Sequence, residues 1–246
     1  MTRIKGILFD LGDTLLDFGP VDTLKLFVEG ARLAYAYLQQ LGQPVPPFAK
    51  YHRRQLRAVQ WSLLKSHLTR REFNSLDVLV RTSKSMGQKL TPEQTEELAW
   101  LWYEPLSRCV TVEDRLEELL EGFRRNGLSL AVISNTFVPG QVLDRHMAEL
   151  GLLEYFPVRI YSCDVRYRKP HPKIFQICLD RLGISPSEAI FVGDKLRPDI
   201  TGAAQAGIIS VLKDPSGARR NHRIRPDHRI TTLRQLPEIV AGYNSH

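Results

Sequence analysis

The chain has 246 residues, 43% of them hydrophobic and 25% charged, with a formal net charge of +7 and a pI near 9.4. That is the make-up of a soluble globular protein with room for one large α/β domain, or for a core that carries a smaller insert. It excludes a disulfide framework and a zinc site, because Cys109, Cys163 and Cys178 are odd in number, far apart and without CxxC spacing.

The chain opens on an apolar run, residues 4 to 9, of the kind that fills a central parallel strand. The run is too short for a signal peptide or a membrane span and Asp10 follows it at once, so a cytoplasmic location without membrane association is expected. Asp10 stands where a carboxylate projects from a strand end, beside a turn containing Gly12; in isolation, an aspartate capping a turn or helix reads the same way. From about residue 17 to 108 the alternation of strands gives way to helical periodicity, at 21–41, 48–68, 71–86 and 92–106. This reads as an inserted helical domain. Its place after the first strand matters, because open α/β sheets bind ligands beyond the carboxyl ends of their strands. Trp61, Trp100 and Trp102 fall in the insert and read as its core, and Arg53, Arg54, Arg57, Lys65, Arg70 and Arg71 as a solvated face.

After the insert, apolar runs at 128–133, 158–161, 189–192 and 208–212 alternate with helical patterns at 112–125, 139–150, 172–182 and 198–206. Strand alternating with helix at this period predicts βαβ units and a doubly wound parallel sheet, with a core of residues 1–16 and 109–246 and a helical domain of residues 17–108. A basic run, Arg219, Arg220, His222, Arg223 and Arg225, has no interleaved aromatic residues and reads as a solvated loop, so a nucleic-acid partner is not expected. His171, His222 and His228 lack metal-ligand spacing and also read as loop residues. The sequence carries no signal of oligomeric state.

Three further segments carry groups suited to phosphate chemistry. Ser134-Asn135-Thr136 ends the second strand, so a hydroxyl and backbone N–H groups arrive at the edge that receives Asp10. Lys169 is followed by Pro170 and Pro172, which restrict the backbone around a positioned ammonium. Gly193-Asp194 ends a strand and Asp199 follows on the first turn of the next helix, an arrangement that can bind Mg²⁺ directly and through water. Small residues from Gly202 to Gly207 then let that helix approach the sheet.

In this order the segments FDLGDTL (9–15), ISNT (133–136), RKPHPKIF (168–175) and VGDKLRPDITGAAQAG (192–207) resemble the haloacid dehalogenase (HAD) superfamily of hydrolases, over essentially the whole chain. The resemblance implies a Rossmann-like core and identifies the helical insert with that family's C1 cap. It implies a Mg²⁺-dependent phosphatase of a small phosphorylated molecule. Asp10 would be the nucleophile that forms an aspartyl-phosphate, Thr14 would orient the nucleophile loop, and Ser134, Asn135 and Lys169 would bind the phosphoryl group. Asp10, the Gly12 carbonyl, Asp194 and Asp199 would organise Mg²⁺. One position departs from the pattern: phosphatases of the family place an aspartate two residues after the nucleophile as general acid/base, and here that residue is Gly12. Loss of such a group slows a reaction by roughly 10²–10⁴, so slow turnover of alkyl phosphates is expected unless Asp13, one step later, supplies the role. The alternative is a phosphate-binding or protein-interaction module that kept the fold and metal site without turnover. The family's dehalogenases also lack that aspartate but do not use Mg²⁺, and Asp194 and Asp199 argue against that branch.

Overall fold

The computed structural model of the protein describes residues 3–69, 72–218 and 223–245. Six strands, β1 (Gly6–Phe9), β2 (Ser129–Ser134), β3 (Val158–Tyr161), β4 (Ala189–Gly193), β5 (Ile209–Lys213) and β6 (His228–Ile230), form one sheet in the order β3-β2-β1-β4-β5-β6. Every neighbouring pair is parallel. β1 lies between β2 and β4, with Phe9 opposite both Val132 and Val192. All residues of β1 and β4 are buried, which is why both read as unbroken apolar runs rather than as alternating ones. From β1 the chain winds outward through β2 and β3, then returns to build β4, β5 and β6 on the other side. The reversal falls between β1 and β4, and a crevice opens at such a switch point at the carboxyl ends of the strands. Asp10 and Asp194 follow those two ends directly.

Helices α1 (Thr23–Gln40), α2 (Phe48–Thr69), α3 (Ser75–Ser85) and α4 (Pro92–Ser107) occupy the insert. Helices α5 (Leu116–Arg125), α6 (Gly140–Glu149), α7 (Ser162–Val165), α8 (Pro172–Leu182), α9 (Gly202–Gln205) and α10 (Leu236–Asn244) follow among the strands. Leu8, Ile133, Phe175, Cys178 and Phe191 meet in one buried cluster, with the Phe175 and Phe191 rings edge to face at 5.2 Å. Two compact units are distinguishable: one comprises Met1–Asp17, Thr111–Asn135 and Met147–His246, the other Phe18–Val110 together with Thr136–His146. Within the second unit, Phe137 stacks on Phe73 at 5.3 Å and its carbonyl accepts from the Ser75 N–H. His146 Nδ1 lies 2.9 Å from the Tyr103 hydroxyl.

Several expectations change. Trp61 is 69% exposed on α2, so it belongs to the surface; Trp100 is buried, as expected of core. The helix expected over 198–206 is a π-helical turn, Leu196–Thr201, followed by the short α9. β6 and α10 lie where no element was expected, because β6 is three residues long and too short for periodicity to register. His228 is therefore in an edge strand rather than a loop, with Nε2 2.9 Å from the Tyr243 hydroxyl. His171 caps α8, its Nδ1 accepting from the Lys173 N–H. Arg70, Arg71, Arg219, Arg220 and His222 lie outside the described residues.

Within the helical unit, α1 packs tightly on the backbone of α4 at Gly30, where an added Cβ would sit 2.6 Å from the Trp102 carbonyl oxygen. Gly30→Ala should lower stability: the ~1 kcal/mol that alanine gains over glycine in a helix interior is outweighed by a clash with backbone that has no rotamer to escape into. A loss of about 1–3 kcal/mol is expected, read as a lower urea midpoint at unchanged m.

Candidate active site

The loop after β1 is built around its own backbone. The Asp10 N–H continues the sheet by donating to Val192 O, and then the Leu15 and Leu16 N–H groups donate back to Leu11 O while Asp13 N–H donates to Leu16 O. This tight hook puts Asp13 in the left-handed region, φ 59°, which aspartate tolerates better than most residues. Asp10 Oδ1 accepts from the next residue's N–H, Leu11, at 2.8 Å. The hook is also held from β5: buried Lys213 donates to the Thr14 carbonyl at 2.7 Å and pairs with Glu113 at 2.8 Å. Thr14 thus lies within the loop-holding contacts, and its buried hydroxyl has no hydrogen-bond partner among the described residues.

Lys169 is the hub. Its side chain is 1% exposed, and Nζ lies 2.8 Å from both Asp10 Oδ1 and Asp199 Oδ1. Asn135, at the end of β2, grips the Lys169 backbone at both polar atoms, its Oδ1 accepting from the N–H at 2.7 Å and its Nδ2 donating to the carbonyl at 2.9 Å. The Asn135 amide is thereby committed to positioning Lys169. Beyond the end of β4, in the π-helical turn, Asp199 Oδ2 accepts from the Lys195 N–H at 2.8 Å, and a Cβ on Gly193 would fall 2.5 Å from the Asp199 carboxyl carbon. Only glycine fits there.

These groups meet at a small open cleft of about 80 Å³ lined by Asp10, Gly12, Ser134, Asn135, Lys169, Lys195, Pro198 and Asp199. Asp194 is not part of the lining, but a carboxylate oxygen from each of Asp10, Asp194 and Asp199 falls within 4.8 Å of the others, and all three residues are buried. Asp13 is not part of the lining either: its carboxylate is 45% exposed and lies 3.7 Å from Lys195 Nζ. Lys195 and Pro198 do line the cleft, and neither carries a sequence signal of such a place beyond the position of Lys195 directly after Gly193-Asp194. Lys213 also carries no motif; the signal it offers is a lysine that ends the mostly apolar, buried strand β5.

Electrostatics follow from the packing. Burial pushes the Asp10 carboxyl up to about 7, with Asp199 and Asp194 adding to the rise and Lys169 opposing it. Burial pulls the Lys169 ammonium down, but Asp10 and Asp199 more than offset this and hold it above its ordinary value. Among these buried groups, negative charge exceeds positive. A carboxylate cluster of this kind, with one buried ammonium, has the donor set and the charge deficit that fit a hard divalent cation.

The family model described as haloacid dehalogenase-like hydrolase matches residues 4–207. A phosphoserine phosphatase from Thermus thermophilus is 29% identical over 254 residues, covering 95% of this chain and 98% of that protein. A crystal structure of a HAD phosphatase from Thermococcus onnurineus aligns with a TM-score of 0.62 and 28% identity over 97% of this chain and 99% of that one. A 2-haloacid dehalogenase from Pseudomonas syringae pv. tomato aligns with a TM-score of 0.69 and 26% identity over 98% and 100%.

The raised carboxyl has a consequence for metal-free stability. An acid whose folded-state pKa lies above its unfolded value favours folding while it is protonated, and that contribution is lost as pH climbs from the unfolded pKa to the folded one. Asp10 therefore destabilises the metal-free protein progressively between about pH 4 and pH 7. Asp10→Asn removes the titration, so its melting temperature should exceed that of the wild type by an amount that grows over this window and levels off above pH 7. Differential scanning fluorimetry in chelator measures it.

Proposed function

The chain belongs to the haloacid dehalogenase-like hydrolases, and from that membership we propose that it is a Mg²⁺-dependent phosphatase of a small phosphorylated metabolite, working through a phosphorylated Asp10. The observation that carries the reading is the convergence of Asp10, Lys169 and Asp199 on the cleft lined also by Ser134, with Asp194 behind them. Its relatives include proteins described as phosphoserine, phosphoglycolate and glyceraldehyde 3-phosphate phosphatases, all of small phosphorylated substrates.

Asp10, Asp194 and Asp199, with the Gly12 carbonyl, would hold the cation. When bound, it would neutralise phosphoryl oxygens and hold the phosphate in line with Asp10. The remaining work falls to side chains of this protein. Asp10 supplies the attacking oxygen. Lys169 supplies positive charge to the phosphoryl oxygens while keeping Asp10 and Asp199 in register, and the Ser134 hydroxyl donates a hydrogen bond to the same group. Asn135 acts at one remove, fixing the backbone from which Lys169 reaches in. The helical insert, residues 17–108, is the element to which we assign substrate selectivity.

Gly12 can donate no proton to the leaving alcohol and can take none from the water that later attacks the aspartyl-phosphate. Asp13, the nearest substitute, is turned toward Lys195 and solvent. The second step should therefore be slow and the phosphorylated enzyme should accumulate. A second reading draws on the dehalogenase neighbour and on Gly12, but that branch does not use Mg²⁺, and the three clustered carboxylates of Asp10, Asp194 and Asp199 form a donor set suited to a divalent cation, which disfavours it.

With an activated aryl phosphate and Mg²⁺, rapid mixing should give a burst of phenol close to one equivalent of enzyme, followed by slow steady turnover; Asp10→Asn should abolish both phases. Gly12→Asp should raise the steady rate by roughly 10²-fold or more. Asp13→Asn should reduce it by less than about tenfold, and a loss near 10²-fold would instead give Asp13 the acid/base role. Absence of any metal-dependent phosphate release, with halide released from a 2-haloacid, would overturn the assignment.

A further inference from the structure

We propose that Lys195 is a catalytic residue that compensates in part for Gly12, its ammonium stabilising the negative charge on the leaving oxygen as the substrate P–O bond breaks. The proposal rests on the phosphatase reading of the site.

Three observations support it. Lys195 lines the same cleft as Asp10 and Gly12, whereas Asp13 does not. Its Nζ lies 3.7 Å from the carboxylate of Asp13, the residue next to Gly12, so the ammonium faces the hook that carries Gly12. It is also loosely held. The side chain is 55% exposed, and its contacts to Asp13 and Asp194, at 3.7 and 3.6 Å, are too long for hydrogen bonds. Lys169 is the opposite case, enclosed and bound to two carboxylates at 2.8 Å. One lysine is built into the site and the other has N–H donors left for an incoming oxygen. The base of the Lys195 side chain is nevertheless fixed, because its N–H is bonded to Asp199.

In the step proposed, an Asp10 oxygen forms its bond to phosphorus while the bond from phosphorus to the substrate oxygen breaks. The electron pair stays on the departing oxygen, which is paired with the Lys195 ammonium and takes its proton from water in the open cleft. Lys195 acts as a fixed charge at the point where charge develops. It has no part in the later attack of water on the aspartyl-phosphate, so the slow second step remains.

The test is Lys195→Met and Lys195→Arg, each assayed at saturating Mg²⁺ against aryl and alkyl phosphates of increasing leaving-group pKa, following the first turnover by rapid mixing. Lys195→Met should lose only a few-fold with dinitrophenyl phosphate but about 10²-fold with phenyl or alkyl phosphates, steepening the dependence on leaving-group pKa, and Lys195→Arg should recover most of that loss. KM and the affinity for Mg²⁺ by calorimetry should change little by comparison. An equal loss with every substrate, no loss, or a change confined to KM or to Mg²⁺ affinity would overturn the proposal while leaving the phosphatase reading intact. A wild-type protein that releases phosphate from none of these esters would remove both.

Discussion

The site depends on one buried ammonium. Three buried carboxylates with oxygens within 4.8 Å of one another would repel strongly, and isolated charges of that kind are not retained in a protein interior. Lys169, ion-paired with two of them, makes the cluster possible. It does not neutralise the cluster fully, and the remaining imbalance is visible in the Asp10 carboxyl, which stays near neutrality in its titration despite its ion pair. A site tuned only for stability would bury less negative charge, so the excess marks a place built to receive positive charge or to transfer an electrophile.

Bringing Lys169 there requires the sheet. Asp10 and Asp194 leave adjacent parallel strands at the point where the winding reverses, and β2 on the other side of β1 delivers Ser134 and Asn135. Side-chain chemistry is supported by backbone chemistry at each end. Asn135 fixes the loop that bears Lys169, Gly193 leaves room for the Asp199 carboxyl, and Lys213 holds the hook after β1 through the Thr14 carbonyl. Few of these supports touch the cleft, yet each sets the position of a group that does.

Much of this was legible in the sequence, because buried parallel strands leave continuous apolar runs and their carboxyl ends are marked by polar residues, as at Asp10, Ser134 and Gly193-Asp194. The less legible parts share a physical cause. β6 is too short for a pattern, and Lys195 and Lys213 look like ordinary surface lysines until the fold brings the carboxylates of Asp13 and Glu113 and the Thr14 carbonyl to them from distant parts of the chain. Trp61 failed for the converse reason: an aromatic residue is core by default, and only packing reveals that its helix turns that face outward. The π-helical turn at Leu196–Thr201 looks like ordinary helix in the sequence, because periodicity does not distinguish an expanded turn from a regular one.

β1 is the first strand of the chain and the middle strand of the sheet. Its neighbours are residues 129–134 and 189–193, and the backbone just before it is bonded on both sides by the side chain of Asn244. During synthesis, then, the strand that leads into Asp10 leaves the ribosome before either of its neighbours and waits for about 180 further residues before both of its edges can pair. Throughout that interval it is an apolar segment with open hydrogen-bonding edges, the feature most prone to join with other chains, and its protection must come from rapid closure by the late strands or from chaperones.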